Sequence, residues 1–199
     1  VDFSGYPLKV TVDERREITA ASVIIATGAT AKYLGIPSEE KFNNKGVSAC
    51  AVCDGYFYRG KEVAVVGAGD SAAEEATYLA NLCTKVHLIV RRDEMRASKI
   101  MQQRVMKTPN IEIHWNTETD EILGNEGGVT GVRLLNNKTG EKTEIAVEGF
   151  FLAIGHKPNT DIFKDYLDMD ETGYIQVLPG STKTNIEGVF AVGDAADRV

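Results

Sequence analysis

The sequence predicts an α/β fold in which a parallel nucleotide-type sheet is joined to an antiparallel meander, and three observations carry that prediction. An apolar strand, residues 62–66, runs into the glycine turn Gly67-Ala68-Gly69 and then into a stretch with helical period. A second apolar strand at 86–90 leads into another helix, which gives the strand-helix-strand-helix order of a parallel sheet. Three alternating segments, 119–123, 129–135 and 143–147, are broken at 125–128 and 136–140 and read as a meander.

Taken in order, residues 8–12 alternate as a half-buried strand, and Asp13-Glu14-Arg15-Arg16 turns the chain back into 17–20 as a hairpin. Residues 22–29 form a near-continuous apolar run ended by Gly28, the pattern of a strand buried on both faces. A loop with Gly35 and Pro37 precedes Cys50-Ala51-Val52-Cys53-Asp54-Gly55, and Tyr58-Arg59-Gly60-Lys61 turns into the first nucleotide-type strand. In the following helix Ala72, Ala76, Leu79, Ala80 and Cys83 share one face, with Glu74, Glu75 and Asn81 turned away, so Cys83 is expected in the core. A helix from about 97 to 107 stops before Pro109, and 111–115 is the next strand. Residues 150–154 return to the sheet and end at Gly155, while 188–194 repeat the pattern of an apolar strand ending in glycine, now followed by Asp194.

Composition narrows the function classes. The chain has 199 residues, 43% of them apolar, enough for a substantial core. Its 22 basic and 29 acidic residues give a formal charge of -7 without blocks of like charge, which argues against a nucleic-acid or anionic-membrane surface. The longest apolar runs fall far short of the ~18 residues of a spanning helix. Three cysteines are too few for a secreted disulfide framework and fit a reducing, cytoplasmic setting, with an organellar one also open. Asn137-Lys138-Thr139 is read as a hairpin turn rather than a glycosylation acceptor. The start at Val1-Asp2-Phe3, with neither an initiator methionine nor a signal-like sequence, is expected of a fragment or a processed piece.

The chemistry-bearing residues fall into two groups. Gly67-x-Gly69-x-x-Ala72 sits between a strand and a helix, the context in which glycines let a pyrophosphate approach a helix N-terminus. At the end of the second strand, where an NAD site would place an acid, stand Val90 and Arg91; Arg91, Arg92 and Arg96 suit a 2′-phosphate and are read as NADP(H) selectors. Cys50 and Cys53 can close and open a small disulfide ring, as a two-electron relay requires. Zinc is the rival ligand, but a second cysteine pair is lacking and His87, His114 and His156 are scattered, so no metal site is expected. Asp54 is either a general acid-base for the thiols or a turn residue beside Gly55, and His156 is equally open as a cofactor contact. His87 and His114 are read as satisfied sheet residues.

Together the Cys50-to-Gly55 segment, the Gly67-to-Ala72 turn, Val90-Arg91-Arg92-x-x-x-Arg96-Ala97-Ser98, the segment from Ala153 to Thr160 and that from Gly188 to Asp194 resemble low-molecular-weight thioredoxin reductases across essentially the whole chain. The resemblance implies the three-layer FAD/NAD(P)-binding fold, with FAD and NADPH as cofactors and thioredoxin as acceptor. By the same resemblance Cys53 faces the flavin, Cys50 exchanges with thioredoxin and Asp54 donates a proton. It also places Asp70, Ser71, Ile154 and Gly155 with the nucleotide turn, and Thr27, Gly28, Gly193 and Asp194 at the flavin. Residues 1–32 and 161–199 are then parts of a flavin domain, with an NADPH and dithiol domain at 33–160 and a homodimer expected of the complete protein. The family's first glycine-rich turn and its last helix have no counterpart in the 199 residues, and Val90 stands where bacterial relatives tend to have histidine. The alternatives are a non-catalytic NADP(H)-binding module or excised domain, a related reductase serving a peroxidase, and one drawing electrons from ferredoxin, against which the arginine cluster weighs.

Overall fold

The computed structural model describes residues 1–197. In chain order its strands are β1 (Leu8–Val12), β2 (Arg16–Ala20), β3 (Val23–Ile25), β4 (Ala29–Ala31), β5 (Val47–Ser48), β6 (Glu62–Val66) and β7 (Lys85–Val90). There follow β8 (Ile111–Trp115), β9 (Thr117–Asn125), β10 (Gly128–Asn136), β11 (Lys142–Ile145), β12 (Gly149–Leu152), β13 (His156–Pro158) and β14 (Val189–Ala191). The α-helices are α1 (Pro37–Lys41), α2 (Ala51–Asp54), α3 (Asp70–Ala80) and α4 (Lys99–Lys107). The chain divides into two compact units, one made of 1–30 with 156–199 and the other of 31–155.

The unit at 31–155 has three layers. Its sheet runs in the order β5-β12-β6-β7-β8 with every pairing parallel. Alternation along β6 makes the layers: Val63 and Val65 join a core with Ala72, Ala76 and Leu79 of α3 and Met101 and Val105 of α4. Ala64 and Val66 face the other way and pack with Ile122, Val132 and Leu134 of the meander β9-β10-β11. Both faces of the central strands are thus covered, which is why they read as continuous apolar runs. Each large side chain so buried contributes roughly 1.5–3 kcal/mol. Pro109, just past Thr108, the C-cap of α4, prevents that helix from continuing. The two-residue strand β5 at the sheet edge carries too little pattern to be seen in the sequence.

The unit at 1–30 with 156–199 holds two small sheets of its own. β1 and β2 pair as the expected antiparallel hairpin with Leu8 opposite Ala20. β3 and β14 pair in parallel with Ile25 opposite Ala191, over a core of Phe3, Leu8, Ile25, Phe163, Leu167 and Ile175. Here the expectation of burial on both faces fails: Ile24 is 68% exposed and Phe190 is half-buried. Among the described residues β3 has β14 alone as strand partner, and the packed core lies on the face of Ile25 only.

The units change over at 30/31 and 155/156, each slightly earlier in the chain than the expected 32/33 and 160/161. At the second boundary the cause is local bonding within the first unit. Asn159 donates its backbone N–H to Gly28 O (2.9 Å) and its Nδ2 to Thr27 O (3.0 Å), and Thr160 Oγ1 donates to Gly173 O (2.6 Å). No helix of the described residues is long and apolar enough to cross a membrane.

Candidate redox and nucleotide site

The sequence Cys50-Ala51-Val52-Cys53 folds as the start of a helical turn, and this brings the two thiols together. Cys50 is the extended N-cap of α2 and Cys53 lies three residues into it, so their Cα atoms are 5.3 Å apart and the sulfurs are joined as a disulfide. The Cys53 backbone N–H donates to Cys50 Sγ at 3.2 Å. Of the pair, Cys50 is half-buried and Cys53 exposed. Asp54 follows at once: Ser48 Oγ donates to its Oδ2 at 2.7 Å, and Ser48 Oγ also accepts from Cys50 N at 3.0 Å. One hydroxyl therefore ties the acid to the backbone at the base of the disulfide. Tyr58, in the next turn, has its phenol raised above the usual range by burial and then by the charge of Asp54. Val52 and Phe57 beside the disulfide are 70% and 73% exposed.

The same unit contains a cavity of about 480 Å³ at the carboxyl end of its sheet. Gly67, Ala68, Arg91, Arg92, Arg96 and Ile154 all line it. Gly67 is there because nothing larger fits: a Cβ would collide with the Ala153 carbonyl oxygen and come within 2.7 Å of Ala72 Cβ. Ala72 is accordingly fully buried. No heavy atom outside its chain neighbours lies within 4 Å of where a Gly69 Cβ would be, and Gly69 is the N-cap of α3 without a side-chain cap, so the helix start is left open.

The arginine segment is anchored by its backbone on every side. Arg96 N and Ala97 N both donate to Ala68 O (2.7 and 2.9 Å), Asn116 N donates to Arg92 O (3.0 Å) and Asn137 Nδ2 to Arg91 O (2.8 Å). Among the described residues none of the three guanidinium groups is in an ion pair. Three unpaired cations around a glycine turn form a receptor for anions. Asp70 has a different part from the other turn residues: its Oδ1 accepts from Ser98 N at 2.8 Å and so fixes the start of α4. Ser71 is exposed on the first turn of α3, and Gly155 stands at φ +96° just beyond the cavity residue Ile154.

Thr27, Gly28, Gly193 and Asp194 belong to the other unit. The parallel register of Ile25 with Ala191 brings both segments out at the carboxyl ends of β3 and β14. Gly28 and Gly193 have φ of +67° and +62°, with open space where a Cβ would stand, and Asp194 is exposed in a 3-10 turn that Gly193 opens. His156 is exposed at the start of β13.

Three sequence expectations need correction or extension. Glu75, expected to point away, is partly buried, and its Oε2 has no partner; burial pushes its carboxyl up to about 7. Cys83 is buried as expected, donates to Tyr58 O at 3.3 Å and has its thiol pushed up to about 11 by burial. His87 and His114 are not scattered: parallel pairing of β7 with β8 sets their rings together, with His87 Nδ1 and His114 Nε2 3.0 Å apart. Burial and then the neighbouring His87 hold His114 below the usual imidazole range.

One compact unit thus holds both the Cys50–Cys53 disulfide and the cavity at the glycine turn. The chain belongs to the pyridine nucleotide-disulphide oxidoreductase family, which matches residues 3–199. It is 52% identical over 203 residues to the thioredoxin reductase of Dictyostelium discoideum, with all of this chain and 63% of that protein covered. To the thioredoxin reductase of Vibrio cholerae serotype O1 it is 50% identical over 204 residues, covering 99% of this chain and 64% of the other. The solved thioredoxin reductase from Giardia duodenalis superposes with a TM-score of 0.88 at 43% identity, over 100% of this chain and 65% of that one. The chain thus spans somewhat under two thirds of the length of these relatives.

Proposed function

We propose that this chain is the nucleotide-binding and disulfide-bearing part of an NADPH-dependent thioredoxin-disulfide reductase. The observation that carries the reading is the coexistence, in one compact unit, of the Cys50–Cys53 disulfide and a cavity lined by Gly67 and three unpaired arginines. The relatives named thioredoxin reductase support it. The cavity residues fit NADPH: the open helix start at Gly69 suits a pyrophosphate, and Arg91, Arg92 and Arg96 suit a 2′-phosphate. The paired glycine ends Thr27-Gly28 and Gly193-Asp194 fit FAD, with Asp194 free to accept hydrogen bonds from a polyol. Held in the Gly67 cavity, NADPH would supply the two electrons as a hydride, and FAD would relay them.

The chain's own residues handle sulfur and protons. Two electrons and two protons turn the Cys50–Cys53 disulfide into two thiols. Cys50 leaves as the thiolate, because the Cys53 N–H already points at its sulfur. Asp54, held by Ser48, delivers and later takes back a proton. Cys50 then attacks the disulfide of thioredoxin to form a mixed disulfide, and Cys53 attacks Cys50 Sγ, which releases dithiol thioredoxin and restores the starting bond. Exposed Val52 and Phe57 provide an apolar border for the acceptor. We further place the complete protein in the cytoplasm as a homodimer, since a lone pair of redox cysteines with a third buried thiol suits a reducing compartment. The test is NADPH oxidation by the complete protein with disulfide thioredoxin. Cys50→Ser should abolish thioredoxin reduction, and unchanged turnover would identify a nucleotide-binding module whose disulfide is not on the electron path.

A further inference from the structure

On the face of the parallel sheet that carries Ala64 and Ile89, the neighbouring strands β6, β7 and β8 gather a second polar cluster. Register places His87 of β7 beside Glu112 of β8, and His114 two residues further along β8 on the same face. One ligand-capable atom from each of His87, Glu112 and His114 lies within 4.8 Å of the other two. His87 Nδ1 is 3.0 Å from His114 Nε2, and His114 Nε2 is 3.8 Å from Glu112 Oε1. His87 is only 4% exposed, and its Nε2 lies 3.2 Å from Glu62 Oε2.

We propose that His87 Nδ1, His114 Nε2 and Glu112 Oε1 form a binding site for a divalent transition-metal ion of the zinc type. The tautomers follow from the bonds. Glu62 is a carboxylate acceptor, so His87 carries its proton on Nε2 and presents a lone pair at Nδ1. His114 Nε2 then donates the bond between the rings in the metal-free protein. A tetrahedral ion with Zn–N distances of roughly 2.0–2.1 Å holds two nitrogens about 3.3 Å apart. Exchanging the shared proton for an ion therefore needs only a slight spreading of the 3.0 Å pair. His114 moves its proton from Nε2 to Nδ1 through solvent, so no net charge is lost from that ring. Glu62 supplies the carboxylate behind a ligating histidine that orients such ligands in metal centres.

The third ligand is exposed and can rotate the remaining distance. Glu112 already uses its other oxygen, Oε2, for Lys85 Nζ at 2.5 Å, so one carboxylate would bridge a metal and an ammonium. Among the described residues Lys85 is the cation paired within the cluster and opposes the ion; Glu62 and Glu112 offset it. The fourth position is left to water, which makes the site His2Glu-water.

Cobalt(II) is the probe, added without reductant so that Cys50 and Cys53 stay joined. The site predicts one equivalent of Co2+ with the intense visible bands of four-coordination, displaced by one equivalent of Zn2+. His114→Gln keeps a donor toward His87 on an edge strand and should weaken Co2+ binding about tenfold or more, while Glu62→Gln weakens it about tenfold through the histidine. Lys85→Ala should tighten binding, and His156→Gln, outside the cluster, should leave it unchanged. Far-ultraviolet circular dichroism confirms that each variant is folded. A pale six-coordinate spectrum, or four-coordinate binding unaltered by His114→Gln, overturns the proposal.

Discussion

The two compact units treat the same sequence motif, an apolar strand ending in glycine, in opposite ways. In the unit at 31–155, β6 is covered on both faces and its Gly67 is wedged against Ala153 and Ala72. In the other unit β3 is covered on one face, Ile24 stands in solvent, and Gly28 has nothing around the position of its missing Cβ. A glycine at a strand end thus serves either of two purposes. Gly67 lets two parts of the protein itself come close, whereas Gly28 sets a backbone direction and leaves space in front of it.

The largest effect should come from the disulfide. Cys50→Ser is expected to lower thioredoxin reduction by at least about 10³-fold, because removal of a nucleophile leaves no covalent route. Steady-state assay of the complete protein checks this, and the same substitution should leave NADPH binding intact.

Next in size is the contrast between the glycines. Gly67→Ala forces a methyl group into the Ala153 carbonyl and is expected to destabilise the protein by about 3 kcal/mol, read by denaturant unfolding. Gly28→Ala meets no atom and carries only the cost of its φ of +67°, about 1–2 kcal/mol. Equal losses at the two positions would break the comparison.

The arginines come third. Arg91→Ala or Arg96→Ala should each weaken NADPH binding roughly 10- to 100-fold and leave NADH binding nearly unchanged, as loss of a charge-assisted phosphate bond would. Isothermal titration with both nucleotides separates this from general damage.

A further effect is the pH dependence of stability arising from Glu75. Its folded carboxyl is raised from 4.5 to about 7, so between those values the folded state holds a proton that the unfolded state has released. Stability from this group is full below about pH 4.5, falls as pH rises, and is lost above about 7, a change of roughly 2–3 kcal/mol. Glu75→Gln should remove that slope and be the more stable protein at pH 8.

Much of the functional unit was legible because its signals are local. The Gly67-to-Ala72 turn, Cys50 with Cys53, and Arg91, Arg92 and Arg96 each lie within six residues, and Gly67 and the arginines line one cavity. What stayed hidden depended on pairing between distant segments. The two residues of β5 acquire meaning only beside β12. The contact of His87 with His114 requires the parallel register of β7 with β8, which no spacing of 27 residues reveals. Glu75 misled because helical period assigns a direction to a side chain but not the packing that surrounds it. Ile24 misled in the converse way, since an apolar run predicts two covered faces and only one is covered within its unit.

The most direct measurement is a single-turnover count of thiols in the complete protein. After one equivalent of anaerobic NADPH, brief alkylation of the native protein followed by mass spectrometry should find Cys50 and Cys53 both labelled. Cys83, buried and with its thiol pushed up to about 11, should stay unlabelled unless the chain is unfolded first. NADH should yield few labels in the same time. A Cys50–Cys53 disulfide that remains closed after NADPH has been oxidised would contradict the account, because the electrons would then leave by a path that avoids the pair.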